Sequence, residues 1–283
     1  TSPAYVAAGF GRRGLVASDG VNGCRFVLLG PDGAPASTPT VVGPKPCAAL
    51  VATPFGFDAF ELADDFGPPS TLVTIDEHGQ VAATDAPLFD DPFGSPIGDA
   101  AIRFADGSEL VAWRGGQTLA ILAAHIAQGG TPLGPPKQLF DLSNDLTGDD
   151  FFSMASLGHG ALAVFGNDAT PKLLVEAVDA TGAPGPATSL SHHEIDAPGV
   201  ARSRAGGGFV SWAAVPSGSA VGELFVRRID AGGAPSGGAT ALAHGFLAGG
   251  SRVASTPVGD VVAFWGERPG EPTQVYVTRL RCP

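Results

Sequence analysis

The sequence predicts an all-β fold, a six-bladed β-propeller with blades of four antiparallel strands, and two recurrences predict it. Five times a β-type run ends in a turn of one design: Gly30-Pro31-Asp32-Gly33, Asp76-Glu77-His78-Gly79, Ala127-Gln128-Gly129-Gly130, Asp179-Ala180-Thr181-Gly182 and Asp230-Ala231-Gly232-Gly233. The closing glycines stand 46, 51, 52 and 51 residues apart. A period of that order with strand-like content is that of propeller blades. The second recurrence is a short apolar strand upstream of each turn, usually ending in an aromatic: Asp58-Ala59-Phe60, Val111-Ala112-Trp113, Ala163-Val164-Phe165, Val210-Ser211-Trp212 and Val262-Ala263-Phe264. In the first unit Val16-Ala17-Ser18 takes that place without an aromatic.

Each unit then reads strand A, strand B, strand C, turn, strand D. The units fall near 4–43, 46–89, 98–140, 150–191, 197–243 and 250–282, and together they make one domain over 1–283. The sixth stops after strand C at Cys282-Pro283. Either it has three strands or its fourth comes from chain upstream of Thr1. The run Thr118 to Ile126 is rich in Ala and Leu and reads as helix by propensity. It occupies the strand C slot and is flanked by Gly115-Gly116 and Gly129-Gly130, so it is assigned as a strand. The recurrent aromatics are expected to plug the spaces between blades, each burying roughly 150–250 Å².

Composition narrows the function classes. Net charge is −12, and of the 16 basic residues only Lys45, Lys137 and Lys172 are lysine. No basic stripe exists for phosphates, which argues against nucleic acid and anionic membranes. An acidic surface suits solubility, a cation or a basic partner. No apolar run is long enough to span a bilayer as a helix. With 41 Gly and 25 Pro and no three-residue period, the chain is built for many tight turns. Cys24, Cys47 and Cys282 show no metal spacing. Cys24 begins strand C of the first blade and Cys47 strand A of the second, at one end of the sheets. They are either a disulfide, which would fit an oxidising compartment, or two buried thiols.

Antiparallel blades put the D-to-A and B-to-C loops at one end and the A-to-B and C-to-D turns at the other. The first end carries the long acidic loops, 89–99, 141–150 and 192–196, where binding is expected. Residues just before strand A lie nearest the centre: Lys45, Asp99, Asp149, Asp150 and Asp196, with His193 and Glu194 beside the last. These are the candidate ligand-binding residues. Trp265 joins them, because it is shifted by one from the core slot and could stack on a sugar ring. Asp141, Ser143 and Asp145 have the alternate spacing of hard oxygen ligands, with Asp149 in reach, so calcium is considered there. The glycine that a calcium loop needs is replaced by Leu146, and the twelfth position is Phe152. No cofactor is otherwise expected.

No nucleophile elbow, cysteine–histidine pair or phosphate-cradling loop is present, so no catalytic residue is assigned. His78, His125 and His159 read as incidental. The strand B motif (FVSW, ELVAW, VVAFW) followed by ELFVRRIDAGGAP or KLLVEAVDATGAP resembles the repeat of certain uncharacterised secreted bacterial proteins, of the type "LVVW…RRVDAAGTP". That resemblance covers nearly the whole chain and is strongest over 200–280. It implies a propeller and an extracellular or envelope location in a bacterium, and it implies no activity. The expectation is therefore a monomeric, lectin-like secreted module that binds a glycan or a protein through its acidic loops. The alternative is a calcium-dependent hydrolase at the mouth of a central channel.

Overall fold

The computed structural model describes residues 4–18, 23–62, 69–84, 101–115, 120–141, 151–166, 173–191, 194–203, 206–215, 221–246, 248–256, 259–267 and 274–280. These residues form strands and turns, with no helix. Two compact units, Thr1–Asp141 and Leu142–Pro283, each hold three sheets.

In the first unit, sheet 1 is a meander of β1 (Ala4–Gly9), β2 (Arg12–Ser18), β3 (Cys24–Leu28) and β4 (Thr40–Gly43). Sheet 2 is β5 (Cys47–Thr53), β6 (Gly56–Leu62), β7 (Pro69–Asp76) and β8 (Val81–Thr84). Sheet 3 is β9 (Ala101–Arg103), β10 (Glu109–Gly115), β11 (Ala120–Ile126) and β12 (Lys137–Asp141). In the second unit, sheet 4 is β13 (Phe151–Ser156), β14 (Ala161–Gly166), β15 (Leu173–Val178) and β16 (Thr188–Ser191). Sheet 5 is β17 (Glu194–Arg202), β18 (Gly208–Val215), β19 (Gly222–Ile229) and β20 (Pro235–Phe246). Sheet 6 has three strands among the described residues, β21 (Ala248–Thr256), β22 (Gly259–Glu267) and β23 (Gln274–Leu280). Every pairing is antiparallel between strands consecutive in the chain. The helix-like segment is strand β11, as its place in the repeat requires: two-sided burial overrides propensity.

The five turns are one object. In each, the fourth residue's N–H donates to the first residue's carbonyl at 3.0–3.2 Å, and the first residue's N–H donates to the carbonyl of the fifth. The closing glycine has φ between 77° and 89° in all five, a conformation that disfavours a side chain. Where the turn starts with Asp, its Oδ1 accepts the N–H groups two and four residues on, as at Asp76, Asp179 and Asp230.

Facing sheets bury apolar side chains between them. Phe26 and Val16 of sheet 1 pack on Phe57 and Ala59 of sheet 2, with the two phenyl rings 5.0 Å apart. Phe60 and Leu72 pack on Val111 and Ile126 of sheet 3. Leu162 and Val164 of sheet 4 meet Val210 and Trp212 of sheet 5. On its other side, sheet 5 meets Val253 and Val262 of sheet 6 through Phe209 and Val226. A single sheet buries too little to stand alone, so stability is shared along the array.

The register corrects one point of the repeat. Trp113, Phe165 and Trp212 pair with Leu122, Leu174 and Phe225, four residues N-terminal to the residue that precedes each turn. In sheet 2 the residue so paired is Glu61, opposite Thr71, and in sheet 1 it is Ala17, opposite Arg25. Phe60 is fully buried, but it faces sheet 3 rather than sheet 1. A glutamate therefore stands where three other sheets carry an aromatic wedge.

Candidate functional site

The loop-bearing end of the first unit is best defined where sheets 1 and 2 meet. A disulfide joins Cys24 at the start of β3 to Cys47 at the start of β5, with Cα atoms 5.0 Å apart, and both residues are fully buried. The Cys47 N–H donates to Ser18 Oγ at 2.8 Å, tying the end of β2 to the same point. Lys45, one of the sequence-predicted residues, is half-buried in the short link between β4 and β5. Its neighbour is Glu61, which is 3 % exposed. Burial pushes the Glu61 carboxyl up from its ordinary range, and the Lys45 backbone N–H and ammonium pull it part of the way back. Oε1 of Glu61 has no hydrogen-bond partner. The opposing backbone is Gly43, whose missing Cβ leaves the room the carboxylate uses. Sequence reading missed Glu61, and its one signal was a charged residue immediately after the Phe60 motif.

The other predicted residues fare differently. Glu194 and Asp196 belong to β17 and are strand residues rather than loop residues, paired with Val215 and Ala213. The ladder takes them because β17 starts three residues earlier than the repeat spacing implies. Trp265 lies in β22, paired with Val275. Asp141 is the exposed last residue of β12. Asp99, Asp145, Asp149, Asp150 and His193 lie outside the described residues. Among the described residues, no group of three His, Cys, Asp or Glu could hold a metal ion. His244 Nδ1 lies 3.1 Å from Glu223 Oε1 across the β19–β20 pair.

The turn end carries a second polar centre, between sheets 2 and 3. Arg103 Nη1 donates to Glu109 Oε1 at 2.8 Å and lies 3.7 Å from Asp58 Oδ2. All three side chains are nearly fully buried. Burial, the neighbouring Asp58 charge and the hydrogen bond with Asp58 hold the Glu109 carboxyl well above its ordinary range, against the pull of Arg103. Two acids with one guanidinium, out of water, are stable with one proton between them.

Beside this centre, Asp106 Oδ1 accepts the Ser108 hydroxyl at 2.6 Å and its N–H at 2.9 Å, and these bonds lower the Asp106 carboxyl. Ser108 Oγ also sits 2.7 Å from His125 Nε2. The serine proton is spent on Asp106, so the imidazole must be the donor to Oγ. That polarity is the reverse of an activated nucleophile, and the trio is a locked turn rather than a hydrolytic set. His125 is thus a structural residue, and Phe104 meets its ring edge-on at 5.6 Å.

No helix of the described residues is long and apolar enough to cross a membrane. No protein-family model matches the chain, and no curated protein matches it. Solved structures do. The subtype N10 neuraminidase-like protein of A/little yellow-shouldered bat/Guatemala/060/2010 superposes with a TM-score of 0.60 at 12% identity, over 98% of this chain and 92% of that one. The SapL1 lectin in complex with alpha methyl fucoside gives 0.55 at 12% identity, over 99% and 92%. The Dos1 propeller gives 0.53 at 14% identity, over 95% and 67%. At such identities the likeness is one of fold, and with the antiparallel meanders it makes the chain an all-β propeller.

Proposed function

We propose that this propeller is an extracellular module that binds a glycan at its loop-bearing end. The observation that carries the reading is the full-length match to a lectin bound to alpha methyl fucoside. Three features agree with it. In each of sheets 1–5 the last strand ends on the side away from the hydrogen-bonded C-to-D turn, so the turns occupy one end of each sheet and leave the other for binding. The buried Cys24–Cys47 disulfide suits an oxidising compartment. Lys45, beside Glu61, supplies a cationic donor of the kind that sugar hydroxyls accept from. Asp99, Asp149, Asp150, His193, Glu194, Asp196 and Trp265 remain the other candidate ligand-binding residues of this reading. The module acts as a monomer on a glycan and, with a net charge of −12, not on nucleic acid.

A glycan array with the whole chain, followed by calorimetry with alpha methyl fucoside and the strongest array ligand, tests this. Saturable binding without turnover is expected, weakened by Lys45→Ala. A flat array at high protein concentration sinks the reading. A chelator arm separates the sugar site from a calcium site at Asp141, Asp145 and Asp149: loss of binding or of thermal stability on chelation would assign the metal a role.

A further inference from the structure

In sheets 1, 3, 4 and 5 the last strand joins strand C through a bulge, and the bulge falls at one position of the repeat. The extra residue is Val42, Leu139, Leu190 or Leu242, apolar every time. Two residues earlier stands Thr40, Lys137, Thr188 or Thr240, paired with Phe26, Ala123, Val175 or Val226. In outline the last strand therefore reads Thr-x-Leu-x, and a bulge kept in place across repeats is a built feature. The extra side chain has a fixed setting. Val42 lies in one apolar cluster with Cys24 and Phe26, Leu190 with Leu173 and Val175, and Leu242 with Leu224 and Val226. Each time it meets two strand C residues that share a face.

Sheet 6 has no such strand among the described residues, and β23 is its edge. Phe264 pairs with Tyr276 as Trp212 pairs with Phe225, so Val275 and Val277 are the equivalents of Leu224 and Val226. Leu224 and Val226 are buried, whereas Val275 is 71% and Val277 68% exposed. The edge is seven residues long and regular in its ladder with β22. It carries no proline, lysine or bulge, the devices that keep an edge from pairing. The four last strands that carry the bulge are each spent in their own sheet, which leaves a second copy of the chain none of them to lend.

We propose that the outer edge of β23 receives an extended segment of a partner protein by strand addition, and that this segment has the form Thr-x-Leu-x, with valine allowed for leucine. The threonine stands opposite Val277, as Thr240 stands opposite Val226. The leucine bulges over Val275 and Val277, as Leu242 does over Leu224 and Val226. Main-chain hydrogen bonds along the edge supply affinity, and the bulged side chain supplies selectivity. The sister sheets thus specify the occupant: its direction, its register and its one apolar anchor.

Amide chemical shifts of the labelled whole chain, titrated with a blocked peptide of the sequence 237–244, test the proposal; that peptide is the chain's own bulged strand from sheet 5. Perturbations centred on 274–280 are expected, with new protection from hydrogen exchange at alternate amides of β23. The peptide carrying Leu242→Asp should bind roughly ten-fold more weakly, since it loses the apolar anchor. A scrambled peptide of the same composition should not bind. In the protein, Val277→Lys puts a charge where the anchor lands and should weaken binding several-fold. Val277 is exposed, so this variant should keep the wild-type melting temperature. Absence of shifts at 274–280, equal binding of the scrambled peptide, or binding indifferent to Val277→Lys would each overturn the proposal. So would protection of those alternate amides before any peptide is added, because the edge would then be paired already. A concentration-dependent dimer that Val277→Lys dissolves and the peptide leaves intact would also overturn it, giving the edge to a second copy.

Discussion

Gly43 lies directly beneath the carboxylate of Glu61: a Cβ on Gly43 would fall 2.2 Å from Oε1 and 2.4 Å from Oε2. The contact is between β4 of sheet 1 and β6 of sheet 2, and Glu61 is too buried to swing into water. Gly43→Ala should therefore cost about 1–3 kcal/mol of unfolding free energy, the usual scale for overpacking. In a Glu61→Ala background the obstructing carboxylate is gone, and the same change should cost much less. Urea denaturation of the four proteins of this cycle measures the coupling. Additive costs would mean that the glycine is required by its backbone and not by Glu61.

That relationship shows where sequence legibility ends. The turns at Gly33, Gly79, Gly130, Gly182 and Gly233 could be read because each closing glycine answers a local backbone demand, and a local demand leaves a local signature. The core slot of sheet 2 could not. Phe60 completes an apolar motif like those of the other blades, yet strand pairing gives the slot to Glu61. Register is set across strands, and a slip of one residue moves a side chain to the opposite face of its sheet. His125 was unreadable for the same reason, since its partner Ser108 is 17 residues away in sequence. Lys45 was legible as a loop cation ahead of a strand. The acid beside it was not, because carboxylates are expected at the surface.

Burial raises three glutamates, and this fixes the sign of the protein's pH response. Glu61 and Glu109 lie above their ordinary range, and Glu176 is pushed up to about 8 by desolvation, its Oε1 without a partner. Between the unfolded value, near 4.3, and the raised folded value, the native state holds more protons than the unfolded one. Stability therefore falls as pH rises through that window. Asp76 and Asp106 are lowered, by hydrogen bonds from the Gln80 backbone N–H and the Ser108 hydroxyl, and what they contribute is lost only in stronger acid. The melting temperature should be higher at pH 5 than at pH 8. A flat or opposite profile across that range would contradict it.

Glu176→Gln removes the titrating group and keeps most of the shape. At pH 8 the variant should be more stable than wild type by on the order of 1–3 kcal/mol, and the difference should shrink toward pH 5. Chemical denaturation at the two pH values gives both numbers. An equal effect at both would show that packing, and not protonation, decides it.

Arg103 is the one cation contacting the buried pair Asp58 and Glu109 among the described ion pairs there. Arg103→Met keeps much of the volume and leaves two acids facing each other out of water, at a cost of about 3–5 kcal/mol. Adding Glu109→Gln should recover part of that loss, because one uncharged amide can hydrogen-bond Asp58 as the protonated acid does. The recovery should be larger at pH 8 than at pH 5. A double variant no more stable than Arg103→Met alone would mean that Arg103 acts through packing.

The disulfide is the last structural commitment that chemistry can check directly. Cys24 and Cys47 are 23 residues apart and join sheet 1 to sheet 2 beside Lys45. Cross-linking that separation removes chain entropy from the unfolded state worth about 3 kcal/mol. Reductant should lower the melting temperature, and Cys24→Ser with Cys47→Ser should reproduce the drop and abolish the response to reductant. Because Lys45 stands two residues from Cys47, the same double variant should also weaken any ligand bound at that end. Alkylation of the denatured, unreduced chain followed by mass measurement should leave Cys24 and Cys47 unmodified. Modification of either in protein purified from an oxidising compartment would remove both the staple and the main support for placing the protein there.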